Sequence, residues 1–293
     1  MDYYCCIIVP VKNRVRFTLP FLKSLSNQTI TDFKVILIDD GSNDGTSKAV
    51  RLDFPDVDII EGNGEWWWTK SVVEGIKFSV NKYNAKYILL LNDDLIVNEN
   101  YLDEFVKKSI NHPRLIQCSL GADIDNPKLM ILPGNLLNRF TGIVKSPPDI
   151  ESTKKSNMCF PARGLWIPVG TFEKIRFNYE DFPQNAADYD FTLSAKKAGY
   201  DIDVNTKALI YYHAEETSEN TFYTELSMKN LWKYLTNIKS TCNIKISLRF
   251  VNKHCYAGFR KMAFIIVVVK CTLGYLRRWI KYSTIVENQI TMN

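Results

Sequence analysis

The chain has 293 residues, 46% of them hydrophobic, so it is long enough to form one large globular domain or two smaller ones. Its seven cysteines lack CxxC or metal-finger spacing, which argues against a disulfide framework and favours reduced thiols in the cytoplasm. The net charge of +5 divides into −6 over residues 1–227, the body, and +11 over residues 228–293, the tail. The acidic body argues against nucleic-acid binding.

A βαβ pattern opens the chain. The first strand is predicted at Cys5–Pro10, and no signal-peptide pattern precedes it, so we expect no secretion. A helix with Pro20 in its first turn follows, and then a second strand at Phe33–Ile38. Such an order predicts a parallel sheet. Neither GxGxxG nor a Walker A loop follows the first strand, which disfavours dinucleotide-binding and P-loop enzymes.

Acidic residues follow two of the predicted strands. Asp39 and Asp40 come after the second strand, and the apolar run Leu89–Leu91 leads into Asn92, Asp93 and Asp94. Open α/β sheets bind ligands at the carboxyl ends of their strands. Adjacent acids there could hold Mg²⁺ or Mn²⁺ together with diphosphate oxygens. A solvated turn is the alternative, since Asp and Asn are common turn formers.

Three segments together resemble the signatures of the family 2 glycosyltransferases, an inverting family with the GT-A fold. They are IIVPVKNR at 7–14, IDDGSNDGT at 38–46 and LNDD at 91–94. The resemblance covers about residues 4 to 213. It implies an α/β protein with a Rossmann-like, mostly parallel sheet flanked by helices, followed by a basic, amphipathic helical extension. Within the family, the chain is similar to the bacterial O-antigen and capsule polysaccharide glycosyltransferases.

What the resemblance implies for the donor site can be written residue by residue. It places Pro10, Asn13, Asp39 and Asp40 around the base and ribose of the nucleotide. Asn92 and Asp93 are also assigned to the donor. Asn92 stands where the family has its first acid.

Divalent metal binding is assigned mainly to Asp94. His213 follows the last predicted strand, Ala208–Tyr212, and resembles a C-terminal metal ligand of GT-A enzymes. A lone histidine is otherwise usually structural. We expect Mn²⁺ or Mg²⁺, and an imidazole ligand suits Mn²⁺ better.

Three consecutive tryptophans, Trp66, Trp67 and Trp68, lie between the second and third signatures. They cannot all face one core in a regular helix or strand, so at least one is expected to line a cleft. The alternative is that two rings pack in the core and the third lies at the surface. Because the resemblance places this segment beside the donor diphosphate and sugar, Trp67, Trp68 and Lys70 are assigned to donor binding.

Asp188 precedes a predicted helix, 192–198, that ends at Gly199. An acid in this position can simply cap the helix. The resemblance instead implies that Asp188 is the general base that deprotonates the acceptor hydroxyl. Asp190 matches a second acid of the family, and Asp190 and Arg163 are assigned to the acceptor. The less regular region 118–156 is expected to form loops that contact the acceptor.

The tail contains the apolar run Ala263–Val269, which is too short to span a bilayer because about 20 residues are needed. Its basic flanks and aromatic residues suit a helix that lies in the lipid headgroup region. We therefore predict a catalytic domain at 1–215 and a membrane-associating extension at 216–293. The alternatives are packing of the run on the body or contact with another subunit.

These expectations describe a metal-dependent, inverting hexosyl- or deoxyhexosyltransferase. It would use a nucleotide-sugar donor, with UDP- and dTDP-sugars favoured, and a glycan or lipid-linked glycan acceptor. The expected setting is bacterial surface polysaccharide synthesis, peripheral on the inner face of the cytoplasmic membrane. A non-catalytic sugar-nucleotide-binding or scaffold protein on the same fold is the alternative.

Overall fold

The computed structural model describes residues 4–212 and 227–290, with side chains to residue 280. The chain divides into two compact units, Met1–Leu136 with Lys145–Ala214, and Leu137–Val144 with Glu215–Asn293. His213 and the predicted domain boundary at 215/216 lie outside the described residues.

The described elements alternate between strands and helices along the first unit. The strands are β1 (Cys5–Val11), β2 (Phe33–Asp39), β3 (Asp58–Glu61), β4 (Tyr87–Leu90), β5 (Ile96–Val97), β6 (Ile116–Asp123), β7 (Met130–Ile131), β8 (Asn135–Leu137), β9 (Val144–Lys145), β10 (Met158–Cys159), β11 (Leu165–Pro168) and β12 (Ile202–Tyr212). The α-helices are α1 (Val15–Ser26), α2 (Thr46–Asp53), α3 (Trp67–Tyr83), α4 (Tyr101–Asn111), α5 (Ala187–Lys197), α6 (Met228–Thr236), α7 (Ile244–His254) and α8 (Arg260–Ile290).

The main sheet of the first unit has the strand order β3-β2-β1-β4-β11-β6-β12-β5, with β7 beside β6. β1 pairs in parallel with both β2 and β4, and β11 runs antiparallel to β4 and β6. Helix α3 packs against β1 and β2, and α4 packs against β12. The expected Rossmann-like, mostly parallel sheet flanked by helices is confirmed. Since β1, β2 and β4 are parallel, the segments that follow them lie at one edge of the sheet.

Two local expectations are wrong. Helix α1 begins at Val15, where the Arg14 carbonyl accepts hydrogen bonds from the backbone N–H groups of Phe17 and Thr18, so Pro20 lies in the second turn. Burial of the apolar face of α1 offsets the missing hydrogen bond of the proline. The region 118–156 also contains more regular structure than expected, because β6 is an eight-residue strand that is buried throughout.

The second unit contains α6, α7, α8 and the loop 137–144. Its small core consists of Val251, Cys255 and Ala263, against which Phe264 and Val267 pack. The expected C-terminal helical extension is present. Among the described residues, no helix combines the length and the apolar character needed to cross a membrane.

Candidate active site

The loops that follow β1 and β2 are held together by three hydrogen bonds. The backbone N–H of Asn13 donates to Ser42 Oγ at 2.8 Å, and Asn13 Oδ1 accepts from the backbone N–H of Asn43 at 2.7 Å. The N–H of Val15 donates to Asp44 Oδ2 at 3.0 Å. Asn13 is left-handed, with φ of 55°, a conformation that asparagine tolerates better than most residues. The two loops therefore form one ordered rim, next to which Pro10 lies half-buried in β1.

Asp39 and Asp40 are buried in this rim, at 3% and 5% exposure. Asp39 Oδ1 accepts from the backbone N–H of Ser42 at 2.8 Å, and its Oδ2 accepts from the Ser47 hydroxyl. Asp40 accepts three backbone hydrogen bonds, from Gly64 at 2.8 Å and from Trp66 and Trp67 at 3.0 Å each. In this structure each of their oxygens is already engaged by the protein.

The tryptophan segment is fixed by the Asp40 carboxylate. Trp67 has a φ of 58°, a strained conformation for a bulky residue, and its N–H is one of the three groups that Asp40 holds. Gly62 is required nearby, because a Cβ there would lie 2.6 Å from Asp40 Oδ1. All three indole rings are half-buried, and Lys70 Nζ lies 5.5 Å from the Trp66 ring. Trp68 lines a pocket, which confirms the expectation that one ring faces a cleft.

Asp93 and Asp94 face different surroundings although they are adjacent. Asp93 is 3% exposed and accepts from Arg14 Nε at 2.6 Å and from Thr18 Oγ1 at 2.7 Å. Burial raises the pKa of Asp93, and Arg14 opposes that rise. Asp94 Oδ2 lies 3.3 Å from the second guanidinium nitrogen of Arg14. Asp93 thus forms an ion pair that holds Arg14 in place. The assignment of Asp93 to donor binding stays a prediction.

One oxygen of Asp94 fits a cation. Asp94 Oδ1 is buried and accepts no hydrogen bond within the described part of the chain, which is costly for a carboxylate oxygen unless a ligand satisfies it. No group of three metal-ligating side chains occurs among the described residues. The protein offers one carboxylate arm there, and a divalent cation bound to it would take further oxygen ligands from a diphosphate and water.

A pocket of about 320 Å³ opens in the first unit beside the end of β4. It brings together four of the predicted site residues from separate parts of the sequence, Trp68, Asn92, Arg163 and Asp188. The remaining wall comprises Ser119, Gly121, Ile131, Leu132, Pro133, Gly134, Pro161, Ala162, Gln184, Asn185, Ala186, Ile210 and Tyr212. The other predicted donor residues and Asp190, which is 1% exposed, are not among its lining residues.

Asp188 is the second residue of α5 and points its carboxylate toward two backbone donors. Its Oδ1 accepts from the N–H of Tyr189 at 2.8 Å, and its Oδ2 accepts from the N–H of Ala162 at 3.3 Å. Burial raises the pKa of Asp188 to about 6, while these hydrogen bonds and the Arg163 guanidinium lower it. A carboxylate with such a pKa is largely ionised at neutral pH and is a stronger base than an ordinary aspartate.

Arg163 lies over the ring of Tyr212, with 4.5 Å between the guanidinium carbon and the ring centroid. The predictions from sequence did not include Tyr212, Gly121 or Gln184. Gly121 is needed because a Cβ there would lie 2.9 Å from the Tyr212 hydroxyl. Gln184 Oε1 accepts from the N–H of Trp68 at 3.1 Å and so connects two sides of the pocket. The only local signal was the position of Tyr212 next to His213.

Solved structures with a similar fold include a mannosyltransferase and a protein solved with a nucleotide sugar. The mannosyltransferase PcManGT from Pyrobaculum calidifontis, solved with GDP-Man and Mn²⁺, superposes with a TM-score of 0.57 at 13% identity, over 100% of this chain and 76% of its own. TarS 1–349 from S. aureus in complex with UDP-GlcNAc also has a TM-score of 0.57, at 17% identity, over 96% of this chain and 79% of that one. These likenesses define the class of the fold as that of the GT-A glycosyltransferases.

Residues 6–165 match the sequence profile of glycosyl transferase family 2, and the chain belongs to that family. The resemblance of the three signature segments is therefore confirmed. An uncharacterized glycosyltransferase of Rickettsia bellii is 29% identical over 104 residues, which are 35% of this chain. The chain spans 14% of the length of that relative and 43% of the longer TarS structure.

Proposed function

We propose that the protein is an inverting glycosyltransferase that moves a sugar from a nucleotide-diphosphate donor to a hydroxyl of a glycan acceptor. The observation that carries this proposal is the position of Asp188. A carboxylate with a pKa of about 6 lies in a pocket that also contains Asn92, at the end of the strand that delivers Asp94. A base and a leaving-group site at one cleft are what direct displacement requires.

Donor binding is assigned to the rim formed by the loops after β1 and β2. Both solved structures described above carry a nucleotide sugar, which supports a nucleotide-sugar donor for this chain as well. Pro10 and Asn13 lie at the rim and would contact the base and ribose. Asp39 and Asp40 would act through the rim by holding its loops and the tryptophan segment in place. UDP- and dTDP-sugars remain the favoured donors.

Asp188 would take the proton of the acceptor hydroxyl as that oxygen attacks the anomeric carbon from the side opposite the diphosphate. Inversion follows from this direct displacement. Arg163 lies in the same pocket and is assigned to the acceptor, whereas Asp190 is buried behind it and would position the start of α5.

A divalent cation, Mn²⁺ or Mg²⁺, would supply charge neutralisation for the leaving diphosphate when it is bound. Asp94 Oδ1 is the described atom that would hold it. Arg14 fixes the Asp94 carboxylate by bridging it to Asp93, so that the second oxygen stays available. PcManGT, solved with Mn²⁺, supports the cation assignment. His213 stays a predicted further ligand.

For the acceptor we propose a glycan, presented on a lipid, in the assembly of a bacterial surface polysaccharide such as O-antigen or capsule. The enzyme would transfer a hexosyl or deoxyhexosyl group and would act in the cytoplasm, at the inner face of the membrane. The catalytic part would be 1–215, with attachment through 216–293. The basic charge of the tail supports this arrangement.

Release of nucleoside diphosphate from a panel of UDP-, dTDP- and GDP-sugars tests the proposal. Wild type, Asp94→Ala and Asp53→Ala would be compared with Mn²⁺, with Mg²⁺ and with EDTA. Asp53 is an exposed aspartate at the end of α2 and is the matched control. We expect cation-dependent release from one donor that Asp94→Ala loses and Asp53→Ala keeps. Donor binding by calorimetry, with no release in the presence of glycan acceptors, would favour the non-catalytic alternative.

A further inference from the structure

The second unit carries an exposed apolar stripe on α8. Met262, Ile265, Val269 and Leu273 are 44%, 61%, 49% and 48% exposed, and they follow one another at steps of three and four residues. At about 100° per residue they lie on one face of the helix. Away from the stripe α8 is buried, with Ala263 at 0% and Tyr275 at 2% exposure. Among the described residues, then, α8 uses one face for the core of its unit and presents a second apolar face outward.

Cations border this stripe. On a helical projection the exposed Lys261 lies about 80° to one side of the centre of the stripe, and the exposed Lys270 lies about 100° to the other side. Residues 137–144 and 227–280 contain no aspartate or glutamate. The stripe is thus an apolar face with lysines along both margins, the pattern of helices that lie in the interface of a bilayer.

Three exposed aromatic side chains cluster at the start of α8. The ring of Phe140 lies 4.8 Å from that of Tyr256 and 5.0 Å from that of Phe259, centroid to centroid. Their exposures are 49%, 48% and 41%. Phe140 belongs to the loop 137–144. The N–H of Tyr256 donates a hydrogen bond of 3.1 Å to the carbonyl of Arg139 in the same loop. Aromatic rings with such exposure suit the headgroup level of a bilayer.

Two arginines lie beside this aromatic cluster. Arg139 precedes Phe140 and Arg260 follows Phe259, and both guanidiniums act on the same thiol, since they lower the pKa of Cys255 while burial raises it. Arg260 Nε is buried and has no hydrogen-bond partner among the described residues. On the helical projection Arg260 lies about 175° from the centre of the stripe, so it belongs to the packed side of α8 and not to the exposed face.

We infer that Phe140, Tyr256, Phe259 and the α8 stripe form a docking surface for an anionic phospholipid bilayer, with Lys261 and Lys270 at its margins facing the anionic headgroups. The inference rests on the proposed function, which requires an acceptor presented on a lipid. The segment 213–226, which contains four glutamates and lies outside the described residues, and a second copy of the chain are the competing occupants.

Co-sedimentation of the full chain with vesicles tests the inference. One set of vesicles is phosphatidylcholine, and the other adds about 30 mol % phosphatidylglycerol, an anionic lipid that attracts surface lysines and arginines. We expect sedimentation with the anionic vesicles at low salt, weaker binding at high salt, and little binding to phosphatidylcholine. Absence of binding to the anionic vesicles would overturn the inference.

Paired variants separate the surface from the rest of the molecule. Ile265→Ser with Val269→Ser should reduce vesicle binding by more than about tenfold, because two exposed aliphatic side chains are lost from the stripe. Leu52→Ser with Ile110→Ser is the control, since these residues are 80% and 71% exposed in the first unit. Lys261→Ala should reduce binding about fivefold, and Lys128→Ala, at an exposed site of the first unit, should not. Equal losses in test and control variants would overturn the surface assignment.

Two further measurements keep the outcomes distinct. Nucleotide binding by calorimetry and donor turnover are measured on the same samples, so that vesicle binding without donor binding would count against the proposed function alone. Donor turnover without vesicle binding would overturn the inference alone. Light scattering after size exclusion reports a second copy: a dimer that Ile265→Ser with Val269→Ser dissociates, without vesicle binding, would assign the face to self-association.

Discussion

Two groups of aspartates at the same edge of the sheet are used in opposite ways. After β2, Asp39 and Asp40 are buried and give every oxygen to hydrogen bonds from the protein. After β4, Asp94 keeps one buried oxygen with no hydrogen bond in the described chain, and Asp188, at the start of α5, keeps capacity on both of its oxygens. Both groups follow the pattern that marks a ligand site in sequence.

The difference shows that an acid at a strand end is not by itself a binding group. A carboxylate that accepts three backbone N–H groups, as Asp40 does, is a connector that fixes one loop to another. A carboxylate with a free oxygen still has a bond to give to a cation or a proton. We therefore expect substitutions in the first group to change stability and substitutions in the second group to change turnover.

Asp188→Asn is the substitution with the largest expected effect on turnover. Amide and carboxyl groups have the same shape, but the amide cannot accept the acceptor proton, so kcat should fall about 10³-fold. Nucleotide affinity and thermal stability should be retained, because burial already disfavours the charged form of Asp188. The checks are initial rates with donor and acceptor, and calorimetry with the nucleoside diphosphate. Turnover close to that of wild type would remove Asp188 from the mechanism.

Asp94→Ala should reduce turnover about 100-fold, since one ligand of the cation is lost while base and pocket remain. Its free energy of unfolding should change by less than about 1 kcal/mol, because the ion pair with Arg14 is partly exposed. A direct readout is the Mn²⁺ titration followed by electron paramagnetic resonance, which reports cation binding without turnover. Unchanged Mn²⁺ affinity in the presence of the nucleoside diphosphate would contradict the assignment of Asp94.

Asp40→Ala should lower stability more than Asp94→Ala does. Three backbone N–H groups lose their acceptor, and the left-handed conformation of Trp67 loses its support, so the free energy of unfolding should fall by about 2–4 kcal/mol. Chemical denaturation measures this change, with Asp94→Ala as the matched comparison from the other group. If the two variants lost equal stability, the division into connecting and ligand-binding aspartates would be wrong.

Much of the fold could be predicted from the sequence because β1, β2 and β4 are short apolar runs that end in turn residues. Strand β6 could not, because Gln117 and Ser119 interrupt its apolar pattern. Both are buried and satisfied by partners outside the strand: Gln117 Nε2 donates to Ser109 Oγ at 2.9 Å, and the hydroxyls of Ser119 and Tyr101 share a hydrogen bond of 2.7 Å. Local periodicity does not contain such long-range partners.

The candidate site divides in the same way. Its acids could be predicted from motif and position, and Asn92, Arg163 and Asp188 do line one pocket. Whether the oxygens of an aspartate already accept hydrogen bonds from the protein could not be predicted, because the N–H groups that donate to Asp40 are 24 to 27 residues away along the chain. The wall contributed by Tyr212 and Gly121 depends on the pairing of β12 with β6, and β6 was not predicted.

The smallest expected effect is on the pH dependence of turnover, which tests the role of Asp188 as the base. Asp188 acts as a base only when ionised, and its pKa of about 6 places the acid limb of kcat near pH 6, with a tenfold loss for each further unit of pH, rather than near the 3.9 of an ordinary aspartate. Stability moves the opposite way. Because burial raises the folded-state pKa above the unfolded value, the contribution of Asp188 to the free energy of unfolding falls as pH rises from about 4 to about 6.

Activity lost at pH 5 would therefore not come from unfolding at Asp188. Initial rates at saturating substrates and thermal unfolding, both measured from about pH 5 to about pH 8, check the two trends on one sample. Arg163→Gln should shift the limb to higher pH, since the guanidinium favours the ionised carboxylate. A limb near pH 4 in wild type would contradict a raised pKa at Asp188, and a limb that Arg163→Gln leaves unmoved would assign the acceptor proton to another group.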